Sequence, residues 1–123
     1  MSLLRTLRFK RRTKTLNSNT LYDILSNERR RLVLEYLFDQ PGSESVSVRT
    51  LTEHLEEHGV GRDAAYVCLV QTHCPRLDEA RYIDYEQNRK LARLTQRGEL
   101  AVLAHRQLAD ILVPSAHPET SGD

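Results

Sequence analysis

Hydrophobic positions along this chain recur with two different periods, and the place where the period changes organises everything else. From a helix-start signal at Asp63, the inward set Val70, His73, Cys74, Leu77 and Ala80 keeps helical spacing. Beyond Arg81 the period drops to two. Tyr82-Ile83-Asp84-Tyr85 and Leu91-Ala92-Arg93-Leu94 alternate as strands do, on either side of the polar turn Gln87-Asn88-Arg89-Lys90.

The preceding chain supplies three more helices and a short strand. Thr20-Leu21-Tyr22-Asp23 has the form of a capping box and predicts a short helix from Thr20 through Leu25. Ser26-Asn27 offers a second cap before Glu28 to Asp39, where Leu32, Val33, Tyr36 and Leu37 repeat at helical spacing until Pro41-Gly42. Ser45-Val46-Ser47 predicts a small strand, and Val48 to His58 a helix with Val48, Leu51 and Leu55 inward. Gly59-Val60-Gly61 then turns the chain into the helix at Arg62, which is helix-turn-helix spacing. After the hairpin, a last helix carries Leu100, Leu103, Leu108 and Ile111 and is expected to end before Pro114.

This order predicts a mainly α fold with a small antiparallel sheet: a winged helix-turn-helix followed by a C-terminal helix. The strand at 45–47 is expected to pair with the hairpin and close the sheet at three strands, which a hairpin needs for support. The layout is a basic arm over 1–18, the winged domain over 19–95, the final helix over 96–113 and a disordered tail over 114–123. Placed beyond the sheet, the leucine stripe of the final helix either joins two copies of the chain or packs back on the first helix.

Several runs carry a resemblance. Leu25-Ser26-Asn27-Glu28-Arg29-Arg30-Arg31-Leu32-Val33-Leu34 resembles the opening of small archaeal and bacterial winged-helix regulators. Thr72-His73-Cys74-Pro75-Arg76-Leu77-Asp78-Glu79-Ala80, followed by Tyr82-Ile83-Asp84-Tyr85, is similar to the His-x-Pro-[Lys/Arg]-Leu run and aromatic strand of a winged-helix family abundant in haloarchaea, mostly without assigned function. Leu94-Thr95 with Gly98 is similar to the strand-to-helix junction of multiple-antibiotic-resistance-type and arsenical-repressor-type regulators. The likeness spans about residues 20 to 112 and implies a DNA-binding regulator. It departs at Arg81, where a glycine usually precedes the first wing strand.

Composition narrows the setting. At 123 residues, with 39% hydrophobic and 28% charged, the chain holds one ordinary core. Its apolar runs fall short of the ~20 residues that span a bilayer, so a cytoplasmic protein is expected. Cys68 and Cys74 lie about 240° apart around a helix of 3.6 residues per turn and do not reach each other, which fits a reducing compartment. The net charge of +1 hides an asymmetry: Arg5, Arg8, Lys10, Arg11, Arg12 and Lys14 stand without an acid in residues 1 to 15. The remainder carries 12 basic and 17 acidic residues. A basic arm thus precedes an acidic body.

The candidate chemistry is that of binding. Expected outward positions on the 63–80 helix are Ala65, Cys68, Thr72 and Glu79, flanked by Gln71 and Arg76. Gln71 suits adenine, and Thr72 or Ala65 a thymine methyl; Arg62 stands at the helix start. Arg89 and Lys90 at the hairpin tip, with Arg8, Lys10, Arg11, Arg12 and Lys14 of the arm, suit phosphate. Arg29, Arg30 and Arg31 read as solvated cations pairing with Glu35 or Asp39. His54 and His58 have metal-ligand spacing without a third ligand, and read as a solvated face. His73 reads as a core histidine bonded to backbone, and Pro75 should bend its helix. With no nucleophile-base pair, phosphate loop or paired carboxylates, the chain is not expected to be an enzyme or to hold a metal or cofactor. Two readings stay open: a homodimeric regulator of double-stranded DNA, without an evident small-molecule effector, or a winged-helix module that docks on another protein.

Overall fold

The computed structural model describes residues 16–41 and 44–121, with side chains through Leu108. Its elements are α1 (Ser18–Leu25), α2 (Glu28–Asp39), β1 (Val46–Ser47), α3 (Val48–Glu57), α4 (Arg62–Cys68), a π turn (Leu69–His73), α5 (Cys74–Glu79), β2 (Ile83–Glu86), β3 (Leu91–Leu94) and α6 (Gln96–Ser121). The sheet is antiparallel in the order β1-β3-β2, with Tyr85 and Val46 both opposite Ala92. This is a mainly helical winged helix-turn-helix with a three-stranded sheet.

Polar side chains at the helix starts explain where the elements begin. Asn27 Oδ1 accepts from Arg30 N–H at 3.1 Å, and Ser47 Oγ from Thr50 N–H at 3.1 Å, each satisfying an amide the first turn leaves free. The first helix corrects the capping-box expectation. Asn17 Oδ1 takes the N–H of Thr20 at 3.0 Å, so Thr20 lies inside α1, and Asp23 turns its carboxylate to Arg76 instead of the helix start. The last helix corrects another expectation: it runs through Pro114 to Ser121. A proline removes only its own N–H bond and bends a helix without having to end it, and no glycine stands between Gly98 and Gly122.

The helix-turn-helix packs on α2. Val33 and Leu34 from α2, Val48, Leu51 and Leu55 from α3, and Ala65, Leu69 and Leu77 from the second helix are fully buried. Tyr82, Ile83 and Ala92 close this core from the sheet side, and Ala101 and Val102 of α6 cover it next to α2. Pro75 alters its helix through the turn ahead of it. Cys74 N–H reaches back five residues to Leu69 O, a wide turn placed where the proline ring would otherwise meet a carbonyl one α turn back.

The arginine triplet corrects the expectation of solvated charges. Arg30 is buried, donating from Nε to Ile24 O at 3.1 Å and from Nη2 to Asp23 O at 2.9 Å. Arg31 donates to Leu25 O, and Arg29 to Cys68 Sγ at 3.6 Å. The triplet thus holds the C-terminal carbonyls of α1 and touches α4. Asp39, one of its expected partners, pairs with Arg106 of α6 at 3.5 Å, and Arg106 lies 4.7 Å over the Phe38 ring.

The junction into α6 is tight. Thr95 N–H donates to Tyr82 O at 3.0 Å, Thr95 Oγ1 to Arg81 O at 2.6 Å, and Gly98 N–H to Thr95 Oγ1 at 3.0 Å. A Cβ on Gly98 would sit 2.1 Å from Tyr82 O and 2.6 Å from Leu94 Cδ1. Arg81, where the resembled families carry glycine, has φ +68°, a left-handed conformation that costs an L-residue about 1–2 kcal/mol.

His73 is buried as expected but lacks the expected bond at one nitrogen: its Nδ1 has no partner among the described residues. Burial, then the charges of Arg30, Arg29 and Arg76, push its pKa down to about 4. Cys74 is buried beside it in sequence, and burial pushes its thiol up to about 12.

This packing has two consequences for stability. Gly98→Ala should destabilise by about 1–3 kcal/mol or more in urea unfolding, because the offending atom is backbone; a loss under a few tenths would refute the close-contact account. Below its ordinary pKa of 6.5 an unfolded His73 takes up a proton that the folded chain refuses until about 4. Stability from this site is therefore present above pH 6.5 and lost as pH falls toward 4. Across that window the unfolding constant should rise by up to about tenfold per pH unit from this one proton. His73→Gln should remove that one-proton slope, and an unchanged pH profile would show that another group carries it.

Candidate nucleic-acid interface

α3, the turn at Gly59 with φ +91° and α4 make the helix-turn-helix, and α4 is its outward-facing second helix. Alternation of burial fixes which side is free. Ala65 and Leu69 are fully buried, while Arg62, Asp63, Ala64, Tyr66 and Val67 are exposed. Ala65, expected to face outward, is therefore corrected to the core: the face is turned by one residue, because Leu69 takes the inward place assigned to Val70, which is only half-buried. Gln71 and Thr72 remain exposed on the π turn, and Cys68 is half-buried.

Arg76 is exposed but engaged, its guanidinium 2.9 Å from the Asp23 carboxylate. That bond holds the Asp23 carboxyl below its ordinary pKa. Arg62 lies 3.9 Å from Glu56 and Arg89 3.7 Å from Glu86, and Lys90 Nζ donates to Gln87 O at 3.1 Å. Exposed pairs at such distances contribute little to stability.

The hairpin is fastened to the helix at two places. Tyr85 N–H donates to the Asp78 carboxylate at 3.0 Å, tying β2 to α5. Val48 N–H donates to Lys90 O at 2.9 Å, tying the start of α3 to the hairpin tip. Asp84 and Arg93, opposite each other in the register, pair at 3.2 Å. These contacts place the Gln87–Lys90 tip on a stiff arm beside the helix-turn-helix.

Arg49, Ala64, Tyr66 and Val67, which the hydrophobic pattern did not single out, also belong to this face. Arg49, Arg62, Asp63, Tyr66 and Val67, with Thr52, line one shallow groove between α3 and α4. Arg49 is exposed and makes no ion pair among the described residues. Its signal was available, since it follows Val48 on a helix whose inward set is Val48, Leu51 and Leu55. Ala64, Tyr66 and Val67 became visible only once Ala65 was seen inside.

The remaining sequence candidates fall elsewhere. The His54 ring lies between Tyr36, tilted against it at 4.7 Å between centroids, and His58, which meets it edge to face at 4.6 Å. Burial, then the nearby His58, lowers the His54 pKa. His54 is thus half-buried packing, not part of a solvated face. Leu100, Leu103 and Leu108 are 36%, 49% and 50% exposed. At 3.6 residues per turn Leu100 and Leu103 lie on the side away from Ala101 and Val102, and Leu108, seven residues after Ala101, lies two turns further along the side of Ala101. The Ile111 side chain, and Arg8, Lys10, Arg11, Arg12 and Lys14 of the arm, lie outside the described residues.

Among the described residues no helix is long and apolar enough to cross a membrane. Comparison with curated proteins and with solved structures finds no match for the chain. A family model does match, over residues 22–93, which is more than half of the chain and runs from α1 to β3. The chain therefore belongs to the family described as a domain of unknown function, DUF7344.

Proposed function

We propose that this chain is a cytoplasmic transcriptional regulator that binds double-stranded DNA as a homodimer. The observation that carries the reading is the free face of α4 and the π turn, with Arg62, Gln71 and Thr72 exposed next to a hairpin fastened to α5. A helix of this width suits a major groove, and Arg89 and Lys90 on the stiff tip suit an adjacent phosphate run. The basic arm, carrying Arg8, Lys10, Arg11, Arg12 and Lys14, adds a sequence-independent electrostatic contribution. The resemblance to winged-helix regulators points the same way.

The dimer rests on α6. Gly98, Ala101 and Val102 turn one side of it to the core, Leu100 and Leu103 leave a second apolar side in water, and Leu108 is exposed two turns beyond Ala101. A helix apolar on two sides is covered on both in most folds. A second copy of α6 supplies a matching stripe through two-fold symmetry.

Exposed Tyr66 and Val67, 42% and 48% free, with the acids Glu53, Glu56 and Glu57 on α3, favour a second reading: a module that docks on another protein. Salt dependence separates the two. Deleting residues 1–15 should weaken binding to all duplexes alike and flatten the slope of log affinity against log salt by roughly 2–4 units per chain, at about 0.9 for each phosphate no longer neutralised. An unchanged slope takes the arm off the DNA and shifts weight to protein docking. For the dimer, Leu103→Glu with Leu108→Glu should give monomers in light scattering. A wild-type monomer at about tens of micromolar, an ordinary range for interface strength, refutes the α6 assignment.

A further inference from the structure

Helix geometry puts Val67 at the middle of the free face of α4. At 3.6 residues per turn, Asp63 lies one turn before it and Ala64 on its flank, and Gln71 is exposed beyond it on the π turn. All four are exposed, and Ala65 and Leu69 define the opposite, buried side. The centre of the face is therefore aliphatic, with one carboxylate and one amide at its ends. Between Arg62 and Arg76 the chain has no lysine or arginine. The commonest reader of guanine, a cation bidentate to O6 and N7, is thus missing from the centre of the face. Methyl groups there match the one apolar feature a major groove presents, the C5 methyl of thymine, and the Gln71 amide matches the N6 and N7 of adenine.

We infer that Val67 and Ala64 form an apolar platform for thymine methyl groups, so that the duplex selected by this chain carries T·A pairs where α4 enters the groove. This rests on the DNA-binding reading above and specifies what it recognises. The surroundings favour a duplex over a protein as the occupant. Arg49 and Arg62 flank the aliphatic centre, Arg49 has no carboxylate partner among the described residues, and Arg62 holds Glu56 only at 3.9 Å. A groove offers that pattern in complement, methyl groups on its floor and phosphates along its rims. Asp63, next to Arg62, faces the floor, where exocyclic amines of cytosine and adenine donate.

The test uses the full chain and a randomised duplex library prepared twice, with dTTP and with dUTP, which differ only in the C5 methyl. The dTTP library should enrich a site with T·A pairs, and rebuilding that site with dU at each contacted thymine should weaken binding by about fourfold per methyl, the worth of one buried methylene-sized group. Val67→Ala should erase most of the thymine-over-uracil preference, lowering the ratio of dT-site to dU-site affinity toward one. The position is half-exposed and alanine is the better helix former, so the variant should fold. Val67→Thr, which keeps the shape and one methyl, should fall between. Enrichment with equal binding of the dT and dU sites overturns the methyl readout and leaves DNA binding standing. Enrichment of neither library overturns both.

Discussion

The guanidinium of Arg30 lies inside the domain with the carbonyls of Asp23 and Ile24 as its partners, and most of the architecture hangs on that contact. A helix end leaves its last carbonyls unsatisfied and carries partial negative charge, so a cation held there satisfies both requirements at once. Because the cation belongs to α2, α1 and α2 are joined as one piece. Asp23 is then left with its carboxylate facing Arg76, which fixes α1 against the far end of the second helix-turn-helix element. Arg29 extends the same joint to Cys68 in α4. The cost falls on His73, whose protonated form is disfavoured first by burial and then by the charges of Arg30, Arg29 and Arg76.

A second joint governs the hairpin. Strand β3 ends where Thr95 receives and returns hydrogen bonds with its neighbours Arg81, Tyr82 and Gly98, so the beginning of β2 and the beginning of α6 are clamped across a few ångströms of backbone. Such closeness leaves Gly98 no room for a side chain and forces Arg81 into a left-handed turn. The first constraint the chain meets with glycine. The second it meets with a strained arginine, at the position where resembled sequences place glycine.

Much of this was legible before any coordinates. Period located the two hairpin strands to within a residue, because two-residue and helical periods are hard to confuse over four or more positions. The short strand at 45–47 was legible from its β-prone residues ahead of a new helix, and the helix-turn-helix from the glycine turn at 59–61. Local polar chemistry was harder to read. Thr20 and Asp23 have the form of a capping box, but Asn17 is an equally good cap, and Asp23 has a partner 53 residues away that no local window contains. The arginine triplet looked solvated for the same reason, since its acceptors are main-chain carbonyls and leave no trace in side-chain pattern. At the candidate interface the sequence pattern put Arg62, Gln71 and Thr72 on the free side, and put Ala65 there wrongly. The wide turn changes the phase of the helix, so counting back from Leu77 and Cys74 at α spacing misplaces the residues ahead of it.

That wide turn also divides labour along one rod. Through Thr72 the helix and its wide turn display the exposed face; behind His73 the rod grips α1 through Arg76 and the hairpin through Asp78. A regular α-helix would lock the orientation of the display face to that of the gripping end, residue by residue. Here a turn that accommodates one additional residue separates the two. Descendants of this chain can exchange side chains ahead of Leu69 for a different set of contacts while inheriting, unaltered, the end that holds the domain together.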